Sequence, residues 1–166
     1  GGATAYLIGL HRPTSEQAII NSAYIGALML ALSALFTAYW MHRERQQLAR
    51  YESSAEAVFT LWGVLWWLFA GLHEIDRFVQ TAFFGCELAY VAVTALLLEI
   101  IGARARWVWP QRAAVFLPAV AAVLGLIGSL TSHPFMYWGA MGWLVLWGTH
   151  YWLLHLSDAQ RRSWPG

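Results

Sequence analysis

Taken as a pattern of apolar and polar positions, the chain divides into five apolar stretches joined by short polar connections. Each is close to the roughly 20 residues that a helix needs to cross a hydrocarbon core of about 30 Å. The pattern predicts spans over 18–41, 55–73, 82–102, 113–131 and 135–156, an all-α polytopic transmembrane bundle. The first is the cleanest: no charge occurs from Gln17 to Met41, and Pro13-Thr14-Ser15 offers turn and capping chemistry just upstream. Alanines at 23, 27, 31, 34 and 38 recur at helical spacing, giving one smooth face that lets a neighbouring backbone come close.

The second stretch follows a polar connection containing Arg43, Arg45 and Arg50, with Ser53 or Ser54 as its expected cap. Glu56 falls in its first turn, where a negative charge suits the helix dipole. Further on, Gly63, Trp67, Ala70, Gly71 and Glu74 form one helical stripe, and Trp62, Trp66, Phe69, His73 and Arg77 form another. The third carries Glu87 near one end and Glu99 near the other, with a small-residue stripe of Gly85, Ala89, Ala92, Leu96 and Glu99. The fourth contains Pro118, where a kink is expected, since proline leaves a carbonyl to be satisfied by neighbours. The fifth follows a Thr131-Ser132-His133-Pro134 turn, is rich in aromatics and glycine, and carries His150 and His155.

Composition agrees with this reading: 59% hydrophobic, 11% charged and eleven tryptophans suit lipid as the main solvent and a bilayer as the first partner. A formal net charge of +1, with no basic stripe, excludes nucleic acid as a partner. The lone Cys86 allows no internal disulfide and reads as a small packing residue. No cofactor and no metal is expected from the spacing of histidines, cysteines and carboxylates. The opening GGATAYLIGL lacks the layout of a signal peptide and reads as the tail of an earlier apolar segment or an exposed entry. The 166 residues are therefore expected to belong to a longer chain, with other transmembrane helices as partners.

Arginine placement gives the orientation. The connections after the first, third and fifth stretches hold 3, 3 and 2 Lys or Arg, against 1, 1 and 0 in the N-terminal stretch and the two remaining connections. That bias places the N-terminus outside and the C-terminus in the cytoplasm of a bacterial inner membrane. On the outer side then lie His11, Glu16, His73, Glu74, Asp76, Arg77, Glu87 and His133, and nearer the cytoplasm His42, Glu99, His150 and His155.

The candidate catalytic group is His73, Glu74, Asp76, Arg77 and Glu87. His73, Asp76 and Arg77 are spaced i, i+3 and i+4, so a carboxylate, an arginine and a histidine meet at the mouth of a tryptophan-lined helix. The same residues also serve as an interfacial cap whose internal pairs end the helix without orphaned charge. Glu87 and Glu99 lie about 18 Å apart along one helix and cannot form a catalytic carboxylate pair. His150 and His155 are candidate cofactor ligands, for haem, only with a partner on another segment, because five residues separate their directions by about 140°. Trp40, Trp107, Trp109, Trp138 and Trp152 fit interfacial belts.

The run WGVLWWLFAGLHEIDRFV, Trp62 to Val79, resembles a family of large bacterial polytopic membrane proteins of unknown function, in which a tryptophan-rich helix runs into a Glu-x-x-Arg ending matched here by Glu74 and Arg77. The resemblance implies a window on a longer polytopic chain and brings no reaction with it. The favoured expectation is a structural, scaffold-like helical module of a larger envelope protein. The alternatives are an enzyme or transporter acting on a lipid-linked or sugar-like substrate at the outer face, and a haem- or quinone-binding membrane subunit.

Overall fold

A computed structural model of the chain describes residues 21–44, 52–79, 83–128, 135 and 138–162. It is an all-α bundle of five helices: α1 (Ser22–Arg43), α2 (Glu52–Phe78), α3 (Phe83–Ala105), α4 (Val108–Gly128) and α5 (Gly139–Arg162). The first four are long and apolar enough to cross a membrane. α5 reaches the length, about 36 Å at 1.5 Å per residue, but the histidines, glycines, tryptophans and tyrosine of 139–156 keep it below that apolarity. His11, Glu16 and His133, and the cap expected at Pro13-Thr14-Ser15, lie outside the described residues.

Helix boundaries depart from the hydrophobic pattern where local chemistry decides. α1 begins at Ser22 because Asn21, in extended conformation, accepts the Tyr24 N–H on its side-chain oxygen at 2.7 Å. α2 runs through to Phe78, five residues beyond the expected end, so His73, Glu74, Asp76 and Arg77 are helical. α4 starts five residues early. Arg106 turns left-handed (φ 53°), Trp107 N–H bonds Gly102 carbonyl at 2.7 Å and Arg106 N–H bonds Ala103 carbonyl at 3.4 Å, closing α3 with a Schellman turn. Pro110 then sits in the first turn of α4, where no helical N–H is needed, and the helix runs on through Pro118.

Small residues set the packing. Ala27, Ala31, Ala34 and Ala38 are buried against α2, while Ala23 stays exposed. Opposite them Gly63 admits no side chain, since a Cβ there would lie 2.6 Å from Leu35 Cγ and 3.0 Å from the Ala31 carbonyl oxygen. α3 and α5 cross as closely, because a Cβ on Gly142 would lie 2.8 Å from the Cα of Gly85. Around that crossing Leu88, Val91, Ala92, Ala122, Trp143 and Leu146 form the main core, and Val64, Leu98 and Ala114 form a second. Large apolar side chains such as Met29, Val58, Phe116, Leu124 and Leu144 stand outside, as a hydrocarbon surrounding allows and water does not.

These contacts sort the helices into two groups. α1 lies along α2 and, at backbone distance, along no other described helix, while α3, α4 and α5 pack on one another. Between the groups the backbones approach sparsely, and side chains make the junction. For reference, the near end carries the start of α1 and the end of α2. The far end carries the end of α1, the start of α2 and the α3–α4 corner.

Candidate functional site

The most enclosed polar group lies at the far end, built on Glu56, His42 and Trp107. The first-turn position that suggested a dipole role for Glu56 is not where its carboxylate acts: the residue is 0% exposed. It continues the inward stripe of α2 backwards, since 56, 60, 63, 67, 70 and 74 repeat at spacings of three and four. Thr60 on that stripe bonds back to the Glu56 carbonyl at 2.8 Å, and so buries no free hydroxyl.

Glu56 Oε1 accepts the indole N–H of Trp107 at 2.8 Å, and His42 Nδ1 lies 3.3 Å from the same oxygen, an electrostatic contact rather than a hydrogen bond. The other ring nitrogen of His42, Nε2, is 3.2 Å from the Ala105 carbonyl. A carbonyl only accepts, so Nε2 carries the hydrogen and donates. The His42 ring also stacks on the Trp107 indole, with centroids 5.7 Å apart at 22°, and the Tyr39 ring lies tilted 5.9 Å from the same indole. One corner thus joins α1, α2, the end of α3 and the start of α4.

Trp107 corrects the sequence reading. It was expected in an interfacial belt, but it is only 3% exposed and acts as a donor to a buried carboxylate. The Schellman turn explains this, because it reverses the chain at Arg106 and throws the next side chain back under the helices. Trp40 and Trp152 do face outward, and Trp109 carries Arg112 over its ring at 5.0 Å.

At the near end the candidate residues divide between the inside and the outside of the bundle. Glu74, 8% exposed, turns inward, where its Oε1 accepts Asn21 Nδ2 at 2.7 Å. His73 turns outward and stacks on Phe69 at 5.9 Å and 5°, the last step of an aromatic ladder Trp62, Trp66, Phe69, His73. Asp76 is exposed, and Arg77 lies over the Phe78 ring at 5.4 Å. Glu87 sits half-buried on the first turns of α3. The two stripes of α2 occupy different faces: Gly63, Ala70, Gly71 and Glu74 are buried and Trp67 half-buried, while Trp62, Phe69 and His73 are exposed and Trp66 and Arg77 half-buried.

About two turns in from the near end, Tyr90 of α3 fits a notch at Gly71. Its hydroxyl donates to the Trp67 carbonyl at 2.9 Å, its ring stacks on the Trp67 indole at 6.4 Å, and that indole N–H donates to Thr94 at 3.2 Å. Glu99, also buried, accepts Gln111 Nε2 at 3.4 Å. On α5, His150 is half-buried with its Nδ1 lacking a hydrogen-bond partner, and His155 is exposed, so the two do not converge. Among the described residues no three His, Cys, Asp or Glu side chains gather as a metal-binding group.

Two shallow apolar clefts of about 260 and 230 Å³ lie on the outside. One is lined by Gly85, Cys86, Ala89, Trp138, Met141 and neighbours, the other by Trp62, Leu65, Trp66 and Phe69. Neither includes Glu56, Glu74, Asp76 or Arg77. Comparison of the chain with known protein families, with characterised proteins and with solved structures gives no match, so the residues' roles rest on geometry alone.

Proposed function

We propose that the chain is an integral membrane module with a structural role in a larger bacterial envelope protein, its buried carboxylates serving as ties between helices. The observation that carries this reading is the use made of Glu56, Glu74 and Glu99. Each is buried, and each accepts a hydrogen bond from a side chain on another helix or at its cap: Trp107, Asn21 and Gln111. An intramembrane carboxylate is a functional candidate by default because desolvation makes it costly. Here the cost is offset by a partner from another element, which is what a structural tie requires. A substrate-handling role at the outer face draws on fewer observations, since Glu74 is engaged by Asn21 while His73 and Asp76 face away from it.

The arginine distribution and the Trp62–Val79 resemblance support the cellular side of the proposal: a bacterial inner membrane, N-terminus outside, C-terminus in the cytoplasm. With Asp76→Cys and Arg106→Cys in intact cells, an impermeant thiol reagent is expected to label the first and spare the second. The reverse pattern overturns the orientation.

The structural role is tested in the full-length protein by comparing abundance and thermal stability with whole-protein function. Glu56→Ala and Glu74→Ala are expected to lower stability and function together, and His73→Ala and Asp76→Asn to leave both near wild type. A folded, abundant His73 or Asp76 variant that has lost function sinks the structural reading and restores the site reading.

A further inference from the structure

On three helices the apolar stripe that faces outward ends at the far end in an arginine. On α1 the exposed Met29, Phe36 and Trp40 lead at helical spacing to Arg43. On α3 Val93, Leu97 and Ile100 lead to Arg104, and on α4 Leu124, Val120 and Phe116 lead to Arg112. All three arginines are exposed, as is Arg106 in the turn between α3 and α4.

Their heights agree. His42 Nε2 donates to the Ala105 carbonyl, and a Cβ on Gly102 would lie 3.1 Å from the Gln111 backbone nitrogen, so the ends of α1 and α3 and the first turn of α4 share one level. Arg43, Arg104 and Arg112 are each within a residue or two of those contacts, which is about 3 Å along a helix axis.

Among the described residues none of the four guanidiniums is paired with a carboxylate. Of the carboxylates near that end, Glu56 and Glu99 are buried and accept from Trp107 and Gln111, and half-buried Glu44 has a contact of its own. Two of the arginines rest on indoles instead, Arg43 over Trp40 at 5.7 Å and Arg112 over Trp109 at 5.0 Å. Stacking occupies the flat face of a guanidinium and leaves its edge N–H groups free to donate. The near end is different: Asp76 is exposed there, and Arg77, over the Phe78 ring, holds a further contact.

A cation at the end of a hydrocarbon-facing stripe is costly unless its head reaches the level of the lipid headgroups, where the nearest anion is a phosphate. Arginine meets a phosphate with paired N–H donors. In a zwitterionic lipid that phosphate is already offset by the lipid's own cation, so the uncompensated charge of an anionic lipid is the better complement. We propose that the far end of the bundle carries a collar for anionic phospholipids, with headgroup phosphates on Arg43, Arg104, Arg106 and Arg112 and acyl chains along the outward stripes. Trp40 and Trp109 hold two of the guanidiniums at headgroup depth.

The full-length protein in phosphatidylcholine vesicles, with a small amount of spin-labelled lipid, tests the collar by the share of label that it immobilises. Labelled phosphatidylglycerol is expected to be immobilised in preference to labelled phosphatidylcholine, by up to about fivefold at each arginine. Arg43→Gln, Arg104→Gln, Arg106→Gln and Arg112→Gln combined are expected to remove at least half of that preference, and Arg77→Gln, at the near end, to keep it. The exchanged side chains are outward and unpaired, so the thermal midpoint in phosphatidylcholine is expected to hold. Should the combined variant misfold, Arg43→Gln and Arg112→Gln singly carry the test, each with a smaller loss. A preference equal in wild type and variants overturns the collar. So does one abolished by millimolar inorganic phosphate but not by chloride at equal ionic strength, which assigns the arginines to a free anion.

Discussion

Between α1 and α2 the helices meet through what is missing: methyl groups and a bare glycine let the backbones touch over about three turns from Ala27 to Ala38. Between this pair and α3–α4–α5 they meet through what reaches across, namely Trp67, Tyr90, Trp107, His42 and Glu56. In a membrane, where lipid competes equally for apolar surface, the first kind of contact gains from dispersion at short range and the second from hydrogen bonds that lipid cannot replace. The first is tight along its length and indifferent to any one residue. The second is concentrated in a few side chains and is sensitive to each of them.

That contrast sets the order of expected effects. Trp107→Ala empties a buried site and strips the donor from Glu56, and should cost about 3 kcal/mol. Hydrogen exchange read by segment should show the loss in α3, α4 and the first turns of α2, with the Ala27–Ala38 stretch still protected. If α1 loses protection equally, the two junctions are not independent.

Gly63→Leu is the converse experiment. A side chain there meets Leu35 and the Ala31 carbonyl, and overpacking of this kind should cost about 2 kcal/mol. Exchange should rise in α1 while α3 and α5 keep wild-type protection. Gly142→Leu, at the Gly85 crossing, should reverse that pattern.

Asn21→Ala removes a helix cap and the bond to Glu74 at once, and should cost about 1 kcal/mol in a reversible denaturant titration. The effect should be confined to the near ends of α1 and α2. The smallest change expected is Arg106→Gly. Arg106 holds a left-handed turn that glycine adopts without steric cost, so the variant should be as stable as wild type or gain up to about 1 kcal/mol. A clear loss there means that the Arg106 side chain contributes to the corner.

Much of the bundle was readable from spacing. The alanine face of α1, the two separate stripes of α2, and the small-residue stripe of α3 follow from apolar and small positions repeating every three to four residues, which is a property of the helix itself. Missing from that reading was the corner. Glu56 lies on the same stripe as Gly63 and Glu74, one further step of three or four back at each point, and extrapolating the stripe to the helix start would have found it. Trp107 carried no such signal, because its direction is fixed by a Schellman turn centred on an arginine, where glycine is the usual residue. At the near end spacing placed His73, Asp76 and Arg77 on one side of α2 and Glu74 off it, but left their surroundings undecided. Shared spacing puts residues on one side of a helix but does not say whether protein or lipid lies there.

The sequence by itself divided the chain into five spans, where four described helices are long and apolar enough to cross a membrane, and determined that this protein is an apolar helical bundle and which helix faces are smooth enough for close approach. Those follow from the period of the helix and the energetics of a hydrocarbon surrounding. Only the tertiary structure decided which carboxylates became ties between helices, because a hydrogen bond between Glu56 and Trp107, 51 positions apart, depends on where two turns bring separate helix ends. Only it decided, too, that the five helices form a tight pair and a tight trio joined through a few reaching side chains.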